Sequence, residues 1–161
     1  MGLFDKLKSA VNAVTGGAAT VTLDYSPSFV YPGDQVTVRV TATAGGAEVK
    51  SKGAFIDVRG YEEVRVKTTH TTTGSSTTGT TNPTTSTTST THEKSAQING
   101  EFVLAPNETK TFEGQFQVPQ GILPSYNGPN AKHLWEIRGR IEAWGNDPDS
   151  GFKPLRVGYR E

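Results

Sequence analysis

From Thr20 to Tyr159 the apolar residues of this chain recur at every second position, and that rhythm decides most of what it can become. Val21, Leu23 and Tyr25 alternate with polar neighbours, as do Val36, Val38 and Val40, then Ile56 and Val58, then Val64 and Val66. Ile98, Phe102 and Leu104 continue the series, followed by Phe112, Phe116 and Val118. The longest run is Trp135, Ile137, Ile141 and Ala143, with Glu136, Arg138, Arg140 and Glu142 on the opposite parity; Leu155, Val157 and Tyr159 close it. A period of two sends successive side chains to opposite faces of a strand, so each segment has one face to bury. About eight such segments, parted by turn signals and with no helical pattern among them, predict an all-β protein. The expected architecture is an antiparallel two-sheet β-sandwich of immunoglobulin-like type.

The turns agree with the strands. "YPGD" at 31–34 sets proline and glycine where a type II turn wants them, and "APNE" at 105–108 repeats the device with asparagine. "FQVPQGILPSY" at 116–126 ends a strand on Pro119, which has no N–H for a ladder, and turns a corner at Pro124 before the chain restarts as "KHLWEIRGRIEAW".

Two segments depart from this rhythm. In "GLFDKLKSAVNAV" Leu3, Leu7, Ala10, Val11 and Val14 fall at helical spacing, and Thr15, Gly16 and Gly17 end the pattern. This predicts a short amphipathic helix over 1–16, ahead of a single sandwich domain over 17–161. So short a helix is marginal alone in water, and its stripe needs a surface. Three surfaces are open to it: its own sandwich, a partner or sister subunit, and a lipid interface that Phe4 beside lysines would suit. Myristoylation would want Ser or Thr at position 6, where Lys6 stands.

The second departure is a Thr-rich insertion at 68–92, whose 25 residues include fifteen Thr and four Ser with no aliphatic or aromatic core former. Such a composition buries little in return for ordering and reads as a solvated loop. Threonine also favours extended structure, so a hairpin centred near Thr81 is the other reading; it would set His70 opposite His92. The expected arrangement pairs VKTT (66–69) with HEKSA (92–96) at the base and leaves a tip from Thr72 to Ser89.

Three stretches taken together, "VYPGDQVTVRV", "LAPNETKTFEGQFQVPQGILPSY" and "WEIRGRIEAWGNDPDSGFKPLRV", resemble the N-terminal half of the arrestin fold, most nearly its bacterial sporulation-control branch. The residues that carry the likeness are Pro32, Gly33 and Asp34; Pro106 and Glu108; Phe112 and Phe116; Val118 and Pro119; Pro124 and Ser125; Asp147 and Asp149; Leu155 and Val157. The resemblance spans about residues 20 to 160 and implies a cytoplasmic bacterial protein that modulates development or envelope-associated processes. Family members usually carry two such sandwiches in tandem, whereas this sequence holds one. The polar-core ion pairs of animal arrestins have no counterparts here, so phosphate-triggered receptor binding is not implied.

Chemistry-bearing patterns are scarce. Sixteen basic residues balance sixteen acidic ones, which removes the footprint of a nucleic-acid binder. There is no cysteine, so disulfides, thiolate metal sites and cysteine nucleophiles are excluded. No stretch approaches the length of an apolar membrane span, and no secretory leader is evident. His70, His92 and His133 lack metal-site spacing; a His70–His92 pair across a hairpin would still want a third ligand. "GNDPDSG" at 145–151 offers carboxylates but no EF-hand spacing, and an Asx turn is the simpler reading. No nucleophile elbow or phosphate loop occurs.

The expectation is therefore a non-enzymatic adaptor or scaffold with no cofactor, no metal and no small-molecule substrate. It would bind a protein partner through sandwich edges and loops, with peripheral membrane contact through its helix as a further use. The candidate contact residues are Leu3, Phe4, Leu7 and Val11 on the helix stripe, and Trp144, which by parity faces away from Trp135 and either anchors a partner or packs under a loop. The alternative is a self-assembling structural subunit that uses the helix or the Thr-rich hairpin.

Overall fold

A computed structural model describes residues 18–74 and 78–160. The helix expected over 1–16 lies outside the described residues, as do its candidate contacts Leu3, Phe4, Leu7 and Val11. The described chain is all strand and connection: β1 (Ala19–Ser26), β2 (Phe29–Val30), β3 (Gln35–Ala44), β4 (Val49–Lys67), β5 (His70–Thr73), β6 (Thr78–Thr81), β7 (Thr84–Asn99), β8 (Phe102–Leu104), β9 (Thr109–Gln117), β10 (Tyr126–Asn127), β11 (Ala131–Ala143) and β12 (Lys153–Val157).

Two sheets face each other. The smaller has the order β1-β3-β9, all antiparallel; the larger runs β2-β12-β11-β4-β7, with β10 beside β11 and β8 beside β4. The alternation explains the layering. Val21 and Leu23 of β1 and Val36, Val38, Val40 and Ala42 of β3 point inward against Ile56 and Val58 of β4, Trp135, Ile137 and Ile141 of β11 and Leu155 and Val157 of β12. Each of these is at most 5% exposed, so one continuous core lies between the layers. Gly139 sits where β11 passes closest to β3: a methyl group added there would stand 2.8 Å from Val40 Cγ2.

The turns formed as their residues dictate. At 31–34, Gly33 has φ 89°, the Asp34 N–H donates to the Tyr31 carbonyl (3.0 Å), and the Asp34 carboxylate accepts from the Tyr31 N–H (2.9 Å). At 105–108, Asn107 takes φ 62°, and Glu108 both closes the turn and accepts from the Ala105 N–H at 2.7 Å. The corner after Pro119 is pinned from four directions. Trp135 Nε1 donates to Leu123 O (2.8 Å) and His133 Nδ1 to Pro124 O (3.0 Å); Ser125 N–H donates to Val157 O (2.7 Å), and Val157 N–H to Ser125 Oγ (3.0 Å).

The Thr-rich stretch is where the expected pairing needs correction. VKTT and HEKSA do not pair with each other: Val66 and Lys67 face Thr85 and Thr84, while His92 to Ala96 face Gly60 to Ile56. His70 lies opposite Thr81, and the chain folds back between Thr73 and Thr78 rather than near Thr81. The reason is upstream. Register is set where β7 joins the core, with Ala96 beside Ile56; it slips by one residue at the bulge between Gly60 and Tyr61 and from there runs on along residues that favour no register of their own. One register continues from Tyr61 opposite Thr90 to Thr73 opposite Thr78, bridged at Pro83, whose carbonyl accepts from the Thr68 N–H (3.1 Å). The expected open tip from Thr72 to Ser89 is thus largely strand. Val64 and Val66, on the rhythm of core residues, are 37% and 54% exposed, out where β4 runs into this ribbon; Tyr159 is exposed as well.

Candidate functional site

Trp144 is 95% exposed, the most exposed large apolar side chain among the described residues. Ala143 keeps the parity of Ile141 and packs on the core, and Trp144 follows on the opposite parity just beyond the end of β11. The alternative of packing under a loop is thereby set aside. Its neighbours are set by pairing: Ser51 stands opposite both Ala143 and Phe102, and Val49 opposite Leu104. These strands frame a hollow of about 540 Å³ lined by Trp144, Phe102, Val103, Lys50, Lys52 and Glu142. Val103 adds a second exposed apolar side chain, 44% accessible.

The same end of the sandwich receives the chain from residues 1–17. Ala18 O accepts from Gly45 N–H (2.9 Å), Gly45 O accepts from Asn107 N–H (2.8 Å), and the chain enters β4 at Val49 a few residues on. Sequence reasoning could find Trp144 by parity. It could not place Trp144 at the end of the sandwich where β1 begins, because that shared end exists only once β1, β3, β4 and β11 are assembled.

A second hollow, of about 510 Å³, opens opposite Leu134, where β10 and β12 leave a gap along the same edge of β11. Tyr25, Tyr126, Trp135, Leu155 and Arg156 line it. Beneath it His133 is fully buried and fixed at both ring nitrogens. Nδ1 faces the Pro124 carbonyl, which can only accept, so in the neutral ring Nε2 accepts from the Thr91 hydroxyl at 2.7 Å. A bulge at Gly60/Tyr61 brings Thr91 and His92 to this place; the His92 ring leans on Trp135 with centroids 5.4 Å apart. His92 Nε2 is buried with no hydrogen-bond partner among the described residues. His70, His92 and His133 do not converge: His70 is out on the β5–β6 hairpin. Among the described residues no three His, Asp or Glu side chains are grouped to hold a metal ion.

The outer face of the large sheet holds the densest charge. Asp57 Oδ2 accepts from Arg138 Nε and Arg140 Nε, both at 2.8 Å, while Arg138 also reaches Asp149 (3.2 Å) and Arg140 reaches Glu142 (3.0 Å). Burial opposes ionisation of Asp57, yet hydrogen bonds from Ser95, Arg138 and Arg140 outweigh it and hold its carboxyl below the usual range. The Phe152 ring packs on two guanidinium groups, its centroid 3.7 Å from that of Arg59 and 4.7 Å from that of Arg138. The Asp-rich loop is the outer wall of this network. The Asp149 carboxylate also accepts from Gly151 N–H (2.7 Å), an Asx turn, and Ser150 Oγ accepts from Gly139 N–H (3.0 Å). Its acidic groups are thus engaged in bracing the β11–β12 hairpin.

No family model and no curated protein matches the chain. Among solved structures, that of Spo0M, sporulation control protein, from Bacillus subtilis is similar, with a TM-score of 0.60 at 18% sequence identity. The likeness covers 89% of this chain and 51% of that one, so this chain spans about half the length of that structure. At that identity it shows the fold, an arrestin-like β-sandwich. Among the described residues no helix is long and apolar enough to cross a membrane.

Proposed function

We propose that this protein is a non-enzymatic adaptor that engages a protein partner through the end of the sandwich marked by Trp144. The observation that carries the reading is an almost wholly exposed tryptophan on the end where the chain enters from residues 1–17. An exposed aromatic beside an apolar hollow with a charged rim has the composition of an interface centre and its surround. Residues 1–17 join the sandwich at this same end, and on this reading they bring Leu3, Phe4, Leu7 and Val11 to the same surface. Helix stripe and tryptophan then form one docking surface. The fold shared with a sporulation control protein supports a cytoplasmic role in bacterial developmental control of that kind. Contact with a lipid surface through the same end is the competing use.

The test is a photoreactive amino acid at position 144 of the full chain, irradiated in cells. Discrete protein adducts at 144, absent when the probe stands at Thr37 on the exposed face of the small sheet, are expected; equal labelling at both positions overturns the reading. Adduct formation only with lipid transfers the surface to the membrane.

A further inference from the structure

We propose that the free edge of β7 over Thr84–Thr90 is a self-association strand, and that its partner is the same strand of a second copy of this chain, paired antiparallel about a two-fold axis near Thr87. A sheet edge exposes unpaired N–H and C=O groups, and proteins guard such edges with charge, proline, shortness or a cover. Three edges of this sandwich are guarded. On β1, the Leu23 carbonyl accepts from the Lys153 ammonium and the Tyr25 hydroxyl donates to Pro154 O. β9 carries Lys110 and Glu113, and Lys110 Nζ is bonded across to Val103 O (2.9 Å). β2 is two residues long.

β7 differs. Over "TTSTTST" it has no charge and no proline, every residue is exposed, and among the described residues no strand pairs with its outer edge. The unguarded length is bounded by Pro83 at one end and by the bulge at Thr91 at the other, which places its middle at Thr87. Charge complementarity selects the occupant. A charged peptide finds no counter-charge along this edge, whereas a second β7 sets only hydroxyls against hydroxyls in any register within the segment. The molecule already uses that pairing: Thr41 and Thr111 join through their hydroxyls at 3.1 Å, and Thr43 and Thr109 at 2.8 Å, across β3 and β9. A second observation points the same way. β11 pairs with β4 only as far as Val64, with a last bond from Arg65 N–H to Asn130 O (2.7 Å), so from Val66 outward the ribbon is two-stranded, a form of marginal stability in water. Two such ribbons joined through β7 make four strands. Val64 and Val66, which stand opposite Thr87 and Thr85, would then share one face with threonine methyl groups from both copies.

The chain has no cysteine, so a single Thr87→Cys variant of the full chain cross-links only with itself. Under mild oxidation it is expected to dimerise at least about tenfold faster than Thr37→Cys, whose exposed position lies on the central strand of the small sheet. Sedimentation equilibrium of the unmodified chain is expected to show a concentration-dependent dimer. Thr87→Lys, which sets like charges face to face, should return it to monomer, while Thr87→Val leaves the dimer intact. Equal cross-linking at the two positions, a dimer that survives Thr87→Lys, or a monomer at every concentration would each overturn the proposal. None of these results bears on the surface around Trp144, which lies at the other end of β4.

Discussion

If Gly139 is glycine because β11 must pass close to β3, replacing it with alanine forces the two sheets apart. The added Cβ would lie 2.8 Å from Val40 Cγ2, 3.4 Å from Val40 Cγ1 and 3.5 Å from Leu23 Cβ. The first contact is closer than side chains tolerate, and overfilling a packed core of this kind costs about 1–3 kcal/mol. Alanine also lowers the entropy of the unfolded chain, which works the other way by about 0.4–1 kcal/mol. The contact term is isolated by Gly100→Ala, where an added Cβ meets nothing within 4 Å. Equilibrium urea unfolding of the two variants should therefore differ by about 1–3 kcal/mol, with Gly139→Ala the less stable. The sharper form is a double-mutant cycle. Val40→Ala alone removes two buried methyl groups, worth about 1.6 kcal/mol in transfer terms before any cavity cost. In the Gly139→Ala background it relieves the clash and leaves a space that the new methyl partly fills, so the double variant should be more stable than additivity predicts by about 1 kcal/mol or more. Additivity within about 0.5 kcal/mol would mean that the sheets do not meet at Gly139, and the layer geometry would be wrong.

Two other predictions concern the polar groups. Because Asp57 titrates below its unfolded value, its contribution is fully present above about pH 4 and is lost as pH falls through the folded value; Asp57→Asn should destabilise at neutral pH and flatten the acid limb of a stability-versus-pH profile measured by urea unfolding. An unchanged acid limb would remove Asp57 as the hub of the outer-face network. Thr91→Val deprives the fully buried His133 Nε2 of its donor and should cost about 1–3 kcal/mol, against about 0.5 kcal/mol or less for Thr90→Val on the exposed ribbon; equal effects would refute the assigned hydrogen bond.

The strands were legible because their side chains declare a buried face. Trp135, Ile137 and Ile141 face inward, Arg138 and Arg140 face outward, and the proline-led turns at 31–34 and 105–108 have the geometry their residues require. The register of the Thr-rich ribbon was not legible, since a tract with similar residues on both faces gains nothing from one alignment over the next. Its register follows from Ala96 beside Ile56 together with the one-residue bulge at Gly60/Tyr61, and a sequence of similar residues announces neither. Val64 and Val66 misled for a related reason: alternation marks a face but not whether a second sheet extends far enough to cover it. At the candidate surface Trp144 was found by parity, whereas Asp57 went unnoticed. A carboxylate between two arginines 81 and 83 positions away becomes visible only when β4 and β11 are aligned.

On the proposed function, residues 18–160 hold together without what precedes them, and residues 1–17 act with Trp144 as a docking surface. Removing residues 1–15 and following both thermal melting and sedimentation with photo-captured partner or with lipid vesicles tests this directly. The expected result is an unchanged melting temperature with binding abolished. A truncated chain that unfolds, or one that melts normally and still binds as the full chain does, would contradict it.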